Sequence, residues 1–587
     1  MKGWCLVAVA AAAVPIFALL GQSGGTAMPR QPSVSSRGRL PIAGCAGQRI
    51  SDIVVITQPP YTDRLPPRLE FLRQTARAVH SNTRDDVVRR YLLLRPGDVC
   101  NQVRRAESER ILRAQPFLVD ARIFVFDDEA GGVLLEVVTR DEFSLIVEPA
   151  ITTTAPVLRA LRLGESNLAG TARFASVEWR DGLAYHDVYG ARFTDYQFGG
   201  GRNELRVFGI RRPRGQEMRV DIVRPYYTDL QRFAFLASVD GHRDYANFRR
   251  PIGLGNSVNV TRQSAVLGGI KRIGSIRRLQ LAGFSLTHSR ERVDSTTVSI
   301  DKLGFRPDVG APLGVSFRRQ HVVRANALYG VRLLRFVPAE GFDALTGTQD
   351  LRVGLQLGTV FGQSIPIGAA RDRDRFIAAG VYAGVGDAKS FVGTQLLSEA
   401  RNDLGSRSWD NFIVSGRLAW YFRPAVRQLT VMSAEWSMGR DMRTPFQLSL
   451  GDRLGGLLGH RDSHSAGAQR LVVRAEQRLV IPARLNVADL GIAGFAEAGR
   501  LWGEHSVPYS TTTPIRGSVG VSVLAAVPPR SRRLWRLDFA LPVGGDPYKK
   551  FEVRVTNEDR TRVFWREPSD VTAARERTVP ASLFTWP

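Results

Sequence analysis

The features that this 587-residue chain lacks limit the structures and partners that it can have. After residues 1–20 it has no apolar run of the ~20 residues that a membrane-spanning helix requires, so any crossing of a membrane would have to use strands. Lysine is scarce, with six among 81 basic residues, and the arginines that supply the rest are scattered along the chain. A net charge of +25 spread in this way predicts no nucleic-acid partner and leaves contact with anionic lipid head groups open.

Cysteine is scarce as well, and the N-terminus gives its three residues a context. Residues 1–27 have the pattern of a secretory signal, with a lysine, an apolar run and then small residues, and residues 28–45 form a linker. Export leads to an oxidising compartment, so Cys45 and Cys100 predict a disulfide. A second interpretation stays open, because Ile42–Cys45 has the form of a lipoprotein processing box, in which Cys45 would be lipidated instead.

Residues 46–142 predict a small α/β domain that begins with a strand and ends with two strands joined by an acidic turn. Between the strands, apolar residues recur at helical spacing, and the longest helix is amphipathic. The expected elements are a strand at 50–55, helical turns at 69–76, helices at 85–95 and 101–115, and strands at 121–126 and 133–139.

Residues 150–557 show runs of about ten residues that alternate apolar and polar side chains, separated by Gly, Asp, Asn and Pro clusters. Trp535, Leu537 and Phe539, for example, alternate with Arg536 and Asp538. Such runs fit either a soluble sandwich or a membrane barrel. The export signal, the number of candidate strands and the charges on the polar faces favour the barrel. The predicted fold is therefore a membrane β-barrel of about 16 antiparallel strands after one small α/β domain, with a tail at 558–587.

Local motifs give both parts a family resemblance. The first domain resembles a POTRA domain in its element order, in Gly97-Asp98 and in the stretch Glu107–Leu112. The second part resembles the barrel of the BamA/TamA-like outer-membrane assembly family, also described as a bacterial surface antigen-type barrel. The matching barrel positions are Asn167 and Gly170 in an Asn-Leu-x-Gly-Thr turn, Pro225, Tyr226 and Tyr227 in a Pro-aromatic-aromatic turn, and the strands at 495–499 and 536–540.

The resemblance also implies a loop folded into the barrel lumen. Gly459-x-Arg461 matches the family's loop tip, although Asp462 and Ser463 replace the following Gly and aromatic residue. By resemblance, Arg461 should reach the carboxylates of Glu476 and Glu497 on neighbouring strands inside the lumen, where a charge-assisted contact holds a loop better than a neutral one.

The sequence predicts no enzyme, no cofactor and no metal site. His460 and His464 lie in a Gly/Ser-rich loop without the three or four ligands that zinc prefers. The resemblance implies a barrel in the outer membrane, with its first domain in the periplasm, that assists insertion or translocation of polypeptides. The implied partners are outer-membrane lipids, unfolded outer-membrane protein clients, and periplasmic or inner-membrane proteins. A passive pore and a dedicated secretion transporter remain alternatives.

Overall fold

The computed structural model describes most of the chain from residue 44 onward. The predicted signal, most of the linker and the helical turns at 69–76 lie outside the described residues. The described ranges are 44–60, 80–128, 131–152, 158–181, 187–212, 215–250, 256–276, 278–301, 304–308, 313, 317, 319–451, 455–481, 488–559 and 566–579.

The first part of the chain forms a three-stranded sheet in the order β1-β3-β2, with β3 parallel to β1 and antiparallel to β2. Asn101 begins the longer helix, because its side chain accepts hydrogen bonds from the N–H groups of Val103 and Arg104. None of the helices in the described ranges is long and apolar enough to span a membrane. The elements are β1 Ile50–Gln58, α1 Asp85–Tyr91, α2 Gln102–Arg113, β2 Leu118–Asp127 and β3 Val133–Asp141.

A disulfide joins Cys45, just before β1, to Cys100, just before α2. Cys100 is buried in a core that both helices and all three strands line, with Val88, Ile111 and Val133 among its fully buried members. The predicted pairing of the two cysteines is therefore present in the structure, and it ties the start of the sheet to the start of α2.

The rest of the chain forms a closed antiparallel barrel in which each strand pairs with the strands next to it in sequence. The described residues form 20 barrel strands, more than the predicted number of about 16. The short β13 lies in the connection between β12 and β14. Residues 290–301 and 335–340 continue strands β12 and β14 beyond the runs of about ten residues that the sequence predicts. The strands are β4 Leu145–Thr152, β5 Leu158–Glu165, β6 Arg173–Arg180, β7 Val188–Phe198, β8 Asn203–Arg212, β9 Gly215–Arg224, β10 Phe233–Phe248, β11 Asn256–Ser275, β12 Arg278–Asp301, β13 Gly304–Pro307, β14 Gln320–Glu340, β15 Thr348–Ser364, β16 Asp374–Gly386, β17 Ser390–Asp403, β18 Ser408–Ala425, β19 Gln428–Arg440, β20 Gln469–Ile481, β21 Asp489–Trp502, β22 Arg516–Ala526, β23 Arg533–Val543 and β24 Glu552–Asp559.

The barrel is apolar outside and charged inside. On β23, Leu541 is 56% exposed on the outer face, whereas Arg536 and Asp538 are 7% and 4% exposed on the inner face. The same inversion holds on β22, where Val521 is 59% exposed and Ser522 is buried. A soluble sandwich buries its apolar face, so this arrangement is that of a barrel whose outer wall faces lipid.

Candidate functional site in the lumen and at the barrel seam

The two ends of the barrel differ in what covers them. We call the end next to the α/β domain the domain end, and the opposite end, which carries the 441–468 connection, the loop end. At the domain end, Gln197 donates to the carbonyl of Val87 over 2.8 Å, and Arg532 donates to the carbonyl of Gln115 over 2.6 Å. These two contacts come from the end of β7 and from the β22–β23 turn, on different sides of the rim, so the domain lies across this end of the barrel.

Charged contacts strengthen this docking. Arg113 on α2 donates two hydrogen bonds to the carboxylate of Asp350 near the start of β15, at 2.8 and 3.2 Å. Both side chains are largely buried, at 13% and 14% exposure. Glu107 accepts a 2.7 Å hydrogen bond from the Thr228 hydroxyl in the β9–β10 turn. A bidentate Arg–carboxylate pair is among the stronger polar contacts, so α2 is fixed in orientation against the rim.

The first predicted turn motif is part of this docking surface. Asn167 is buried and donates a 2.8 Å hydrogen bond to the Thr83 hydroxyl of the domain, while its side-chain oxygen accepts from the Ala172 N–H at 2.8 Å. Gly170 has a φ of +70°, and a Cβ there would collide with the carbonyl of Asn82. The motif therefore requires glycine at 170, because the domain's backbone passes directly against it.

The second predicted turn motif also anchors the domain. Tyr227 is buried with its hydroxyl 2.5 Å from a carboxylate oxygen of Glu204, and its ring meets the ring of Tyr91 edge-on at 6.0 Å. Burial, with the charge of Glu204, raises the pKa of Tyr227 well above its ordinary value. The phenol therefore stays protonated and donates to Glu204. Arg110 of α2 donates to the carbonyl of Tyr227, which joins the turn to the helix.

The neighbouring Tyr226 braces the barrel wall instead of the domain. Its hydroxyl donates to the carbonyl of Ile270 at 3.2 Å, and the guanidinium of Arg332 lies 5.9 Å from the centre of its ring. Burial raises the pKa of Tyr226 to about 12. Pro225 precedes the two tyrosines in the β9–β10 turn, so the motif holds one aromatic ring towards the wall and the other towards the domain.

The described residues of the 441–468 connection between β19 and β20, which are 441–451 and 455–468, fold into the lumen. Its tip is held by main-chain groups: the N–H of Leu458 donates to Glu497 at 3.1 Å, and the N–H of Gly459 donates to Glu552 at 2.7 Å. Gly459 has a φ of +77° and packs against Pro542, which leaves no room for a side chain. The predicted inward loop is thus present, on the inner wall of β21 to β24.

His460 is a fully buried anchor of this loop. Its two ring nitrogens lie 3.3 Å from the Asp546 carboxylate and 2.9 Å from the carbonyl of Gly517. Arg516 also donates to Asp546, at 2.7 Å. Both imidazole nitrogens therefore have protein partners. Among the described residues, no group of three or more His, Cys, Asp or Glu side chains could hold a metal ion.

The contacts predicted for Arg461 are replaced by others. Glu476 is paired with Arg478 and Arg536, the latter at 2.7 Å. Glu497 lies 3.4 Å from Arg474, besides its bond to the loop backbone. The pairing of Arg461 with Glu476 and Glu497 was therefore a wrong expectation, because strand arginines already occupy both carboxylates.

Arg461 itself lies among charges of both signs at the loop end. Burial, together with the positive charges of Arg159 and Arg554, lowers its pKa, and Glu552 and Asp462 oppose this effect. Its carbonyl accepts a 3.2 Å hydrogen bond from Arg249. The loop is consequently fastened by the backbone N–H groups of Leu458 and Gly459 and by the side chain of His460, and not by the side chain of Arg461.

The chain returns into the barrel after β24, which was not predicted from the sequence. Residues 566–579, predicted as part of a tail, lie inside the lumen, and Ser569–Ala574 form a short helix, α3. Arg577 donates to Asp240 on β10 at 2.7 Å, and Asp570 accepts from Arg470 on β20 at 3.0 Å. The segment thus spans the lumen between distant strands. The only sequence signal was its dense mixture of charges, which is equally typical of a solvated tail.

The barrel has one weak join. Among the described residues, β24 pairs with β4 only through Arg554–Thr152 and Val555–Ile151. On their other sides, β24 shares eight residue pairs with β23, and β4 shares seven with β5. Pro149 within β4 lacks an N–H group, a feature tolerated mainly at sheet edges. We call this join between the first and last barrel strands the seam.

Comparisons with known proteins find similar solved structures but no match by sequence. No family model and no curated protein matches the chain. BamA from Haemophilus ducreyi lacking POTRA domains 1–3 is 12% identical, with 87% of this chain and 85% of that chain covered and a TM-score of 0.34. CdiB from Acinetobacter baumannii is 10% identical, with coverages of 87% and 74% and a TM-score of 0.39. CdiB from Escherichia coli is 12% identical, with coverages of 90% and 93% and a TM-score of 0.35.

TM-scores this low carry no argument about fold or function, so the barrel architecture rests on the strand order and on the inverted polarity of its wall.

Proposed function

We propose that this protein is an outer-membrane β-barrel that assists insertion or translocation of polypeptides, with its α/β domain in the periplasm. The observation that carries the proposal is the seam, where two residue pairs join strands that are otherwise fully paired. The apolar outer wall supports placement in lipid. The motifs shared with the BamA/TamA-like assembly family, which hold the domain against the barrel in this chain, support the choice of function.

The seam supports this activity for a physical reason. Opening it breaks the hydrogen bonds of only two residue pairs, and it exposes the free edges of β4 and β24. A free strand edge presents unpaired N–H and C=O groups, which template the addition of another strand. A client strand that enters there would gain the backbone pairing that lipid alone does not supply.

The β2 edge of the domain's sheet is less able than the seam to accept a client strand. On the outer edge of β2, the N–H of Ile123 donates to Glu109 at 2.8 Å, and its carbonyl accepts from Arg105 at 2.7 Å. Side chains of α2 therefore occupy groups that a client strand would need. We accordingly assign strand addition to the seam, and to the domain a role in docking and in covering the domain end.

The contents of the lumen argue against the passive-pore alternative. The 441–468 connection and residues 566–579 both occupy it, and they meet where a Cβ added at Gly455 would touch Pro568. A passive pore works through an open channel, whereas two segments of the chain occupy this lumen.

A disulfide across the seam tests the proposal. The paired residues Ile151 and Val555 would be replaced, as Ile151→Cys with Val555→Cys, in cells depleted of the native protein. We expect the oxidised variant to fail to restore outer-membrane protein levels and a reductant to recover them, because a locked seam offers no free edge.

The matched control places the same bond between strands that need not part. Phe539→Cys with Val553→Cys joins β23 to β24 at a regular pair and should restore protein levels fully. If the locked seam restores them equally well, seam opening is not needed and the proposal fails. Unchanged protein levels on depletion, together with altered solute permeability, would establish the passive pore instead.

A further inference from the structure

The segment 566–579 is held in the lumen like a bound peptide. It forms no strand pairs with the wall. Its polar contacts reach strands from β9 to β20, and Val571 and Ala574 pack in an apolar cluster with residues such as Leu448 and Leu457 of the 441–468 connection. The best-buried contact is that of Glu576, which lies between Arg324 at 3.1 Å and Arg401. The three side chains are 1% to 3% exposed. Asp374 pairs with the other side of Arg324 at 2.6 Å.

Further anchors lie on both sides of Glu576. Arg577 donates two hydrogen bonds to Asp240, at 2.7 and 2.9 Å. Arg575 lies 3.5 Å from Glu399 and donates to the carbonyl of Leu397 at 3.1 Å. The wall therefore meets each of three consecutive charges with a group of the opposite sign, in an order that a peptide of another sequence would not match.

Space beside the segment leaves it room to move. A cavity of about 990 Å³ lies between this segment and the inner wall, and its lining includes Arg575, Glu576 and Arg577 together with wall residues such as Glu217 and Tyr382. The charged contacts of residues 575–577 thus lie at the border of an internal space, whereas Val571 and Ala574 are packed in an apolar cluster.

We propose that the inner wall around Arg324, Arg401, Arg470 and Asp240 is a peptide-binding site, and that residues 566–579 are its resident, displaceable ligand. The ligand class is a short peptide of alternating charge, with an acidic residue for Arg324 and Arg401 and a basic residue for Asp240. While it is bound, the segment closes the pore. This inference shares with the proposed function only the placement of the barrel in a membrane, because it concerns the lumen and not the seam.

The test uses conductance of the purified protein in planar lipid bilayers. A chain that ends at residue 565 should conduct at least several times better than the full chain. A synthetic peptide of residues 566–579 should restore the low conductance and bind the shortened chain in fluorescence anisotropy. A peptide of scrambled sequence, with the same composition and charge, serves as the matched control and should do neither.

Single-charge changes locate the site. In the peptide, Glu576→Gln should weaken binding by roughly tenfold or more, since hydrogen bonds to charged groups are the stronger ones and the arginines would lose their acid. In the full chain, Glu576→Gln with Asp570→Asn should produce brief openings that the native chain lacks. This second variant keeps the whole chain, so it decides the question if the shortened chain does not fold.

Two results would overturn the proposal. One is a shortened, heat-modifiable barrel whose conductance equals that of the full chain, which would show that the segment closes nothing. The other is equal binding of the native and scrambled peptides, which would show general electrostatic attraction without a site. A failure of the seam experiment leaves both measurements unaffected, so the two proposals fail separately.

Discussion

Reduction of the Cys45–Cys100 disulfide should destabilise the α/β domain strongly. The two cysteines are 55 residues apart, and the bond closes that stretch of chain. In the loop-entropy account, a cross-link over a loop of this length lowers the conformational entropy of the unfolded chain. This raises the free energy of unfolding by about 4 kcal/mol. That figure is a large share of the 5–15 kcal/mol that typically separates folded from unfolded domains. A change of this size corresponds to roughly a thousandfold increase in the unfolded population.

Hydrogen exchange measures this change within the intact protein. Strand β3 lies between β1 and β2, so its amides are paired on both sides and should exchange only when the whole domain unfolds. We expect reductant to accelerate exchange across β3 by up to roughly a thousandfold, because that is the full loop-entropy effect. The barrel strands contain no disulfide in the described residues, and their exchange should stay constant.

The control is Cys45→Ser with Cys100→Ser, which should show fast exchange with or without reductant. It separates loss of the bond from other effects of the reagent. Unchanged exchange in β3 after complete reduction would refute the reasoning, because it would mean that docking to the barrel rim, and not the cross-link, sets the domain's stability.

Two further predictions concern the contacts at the two ends of the barrel. Asp350→Asn should loosen the domain from the rim by about 2–3 kcal/mol, because Arg113 keeps a mostly buried charge without its partner. Distances between spin labels on domain and barrel should broaden, whereas Asp86→Asn, at an exposed pair, should leave them sharp. At the loop end, burial acts to raise the pKa of Asp546, but hydrogen bonds from Tyr548 and His460 hold it below its ordinary value. The contacts of ionised Asp546 that anchor the loop are therefore complete above about pH 4 and are lost as the pH falls below that value. We expect pepsin to cut the loop faster as the pH is lowered in this range. The variant Asp546→Asn should remove this pH dependence.

The sequence predicted the barrel because alternation is a local property. Side chains on a strand point to opposite faces in turn, so Trp535 and Arg536 reveal their faces without any knowledge of the partner strands. The number of strands is not local in the same way. Residues 290–301 continue β12 beyond the length that crosses lipid, and their polar composition resembles that of a loop. The change from apolar to polar residues in the sequence therefore indicated where β12 leaves the lipid, and not where β12 ends.

The turn motifs were predicted as positions, and the structure supplies their physical roles. Asn167 and Tyr227 make contacts with residues that lie far away in sequence, Thr83 and Arg110. Such contacts depend on how the domain docks onto the rim, which no local pattern encodes. The motifs could therefore be located from the sequence, whereas their function as docking points could not.

The expectation for Arg461 failed for a related reason. Carboxylates inside a lumen crowded with arginines have several possible partners, and register decides among them. Arg478 and Arg536 lie beside Glu476 on its own and nearby strands, so they reach it before a loop residue does. The return of residues 566–579 into the lumen also depends on complementary charges that come from distant strands.

The segment 566–579 in the lumen would affect the two possible routes of a polypeptide differently. A client that inserts at the seam approaches from the side of the barrel and needs neither the lumen nor release of residues 566–579. A client that is translocated must pass through the lumen, so the segment must first leave its site. A tether that holds Glu567 to Ser415, which contact each other in the closed state, separates the two routes. Restored outer-membrane protein levels with this tether in place would assign the protein to insertion, and loss of those levels would mean that the lumen itself must open.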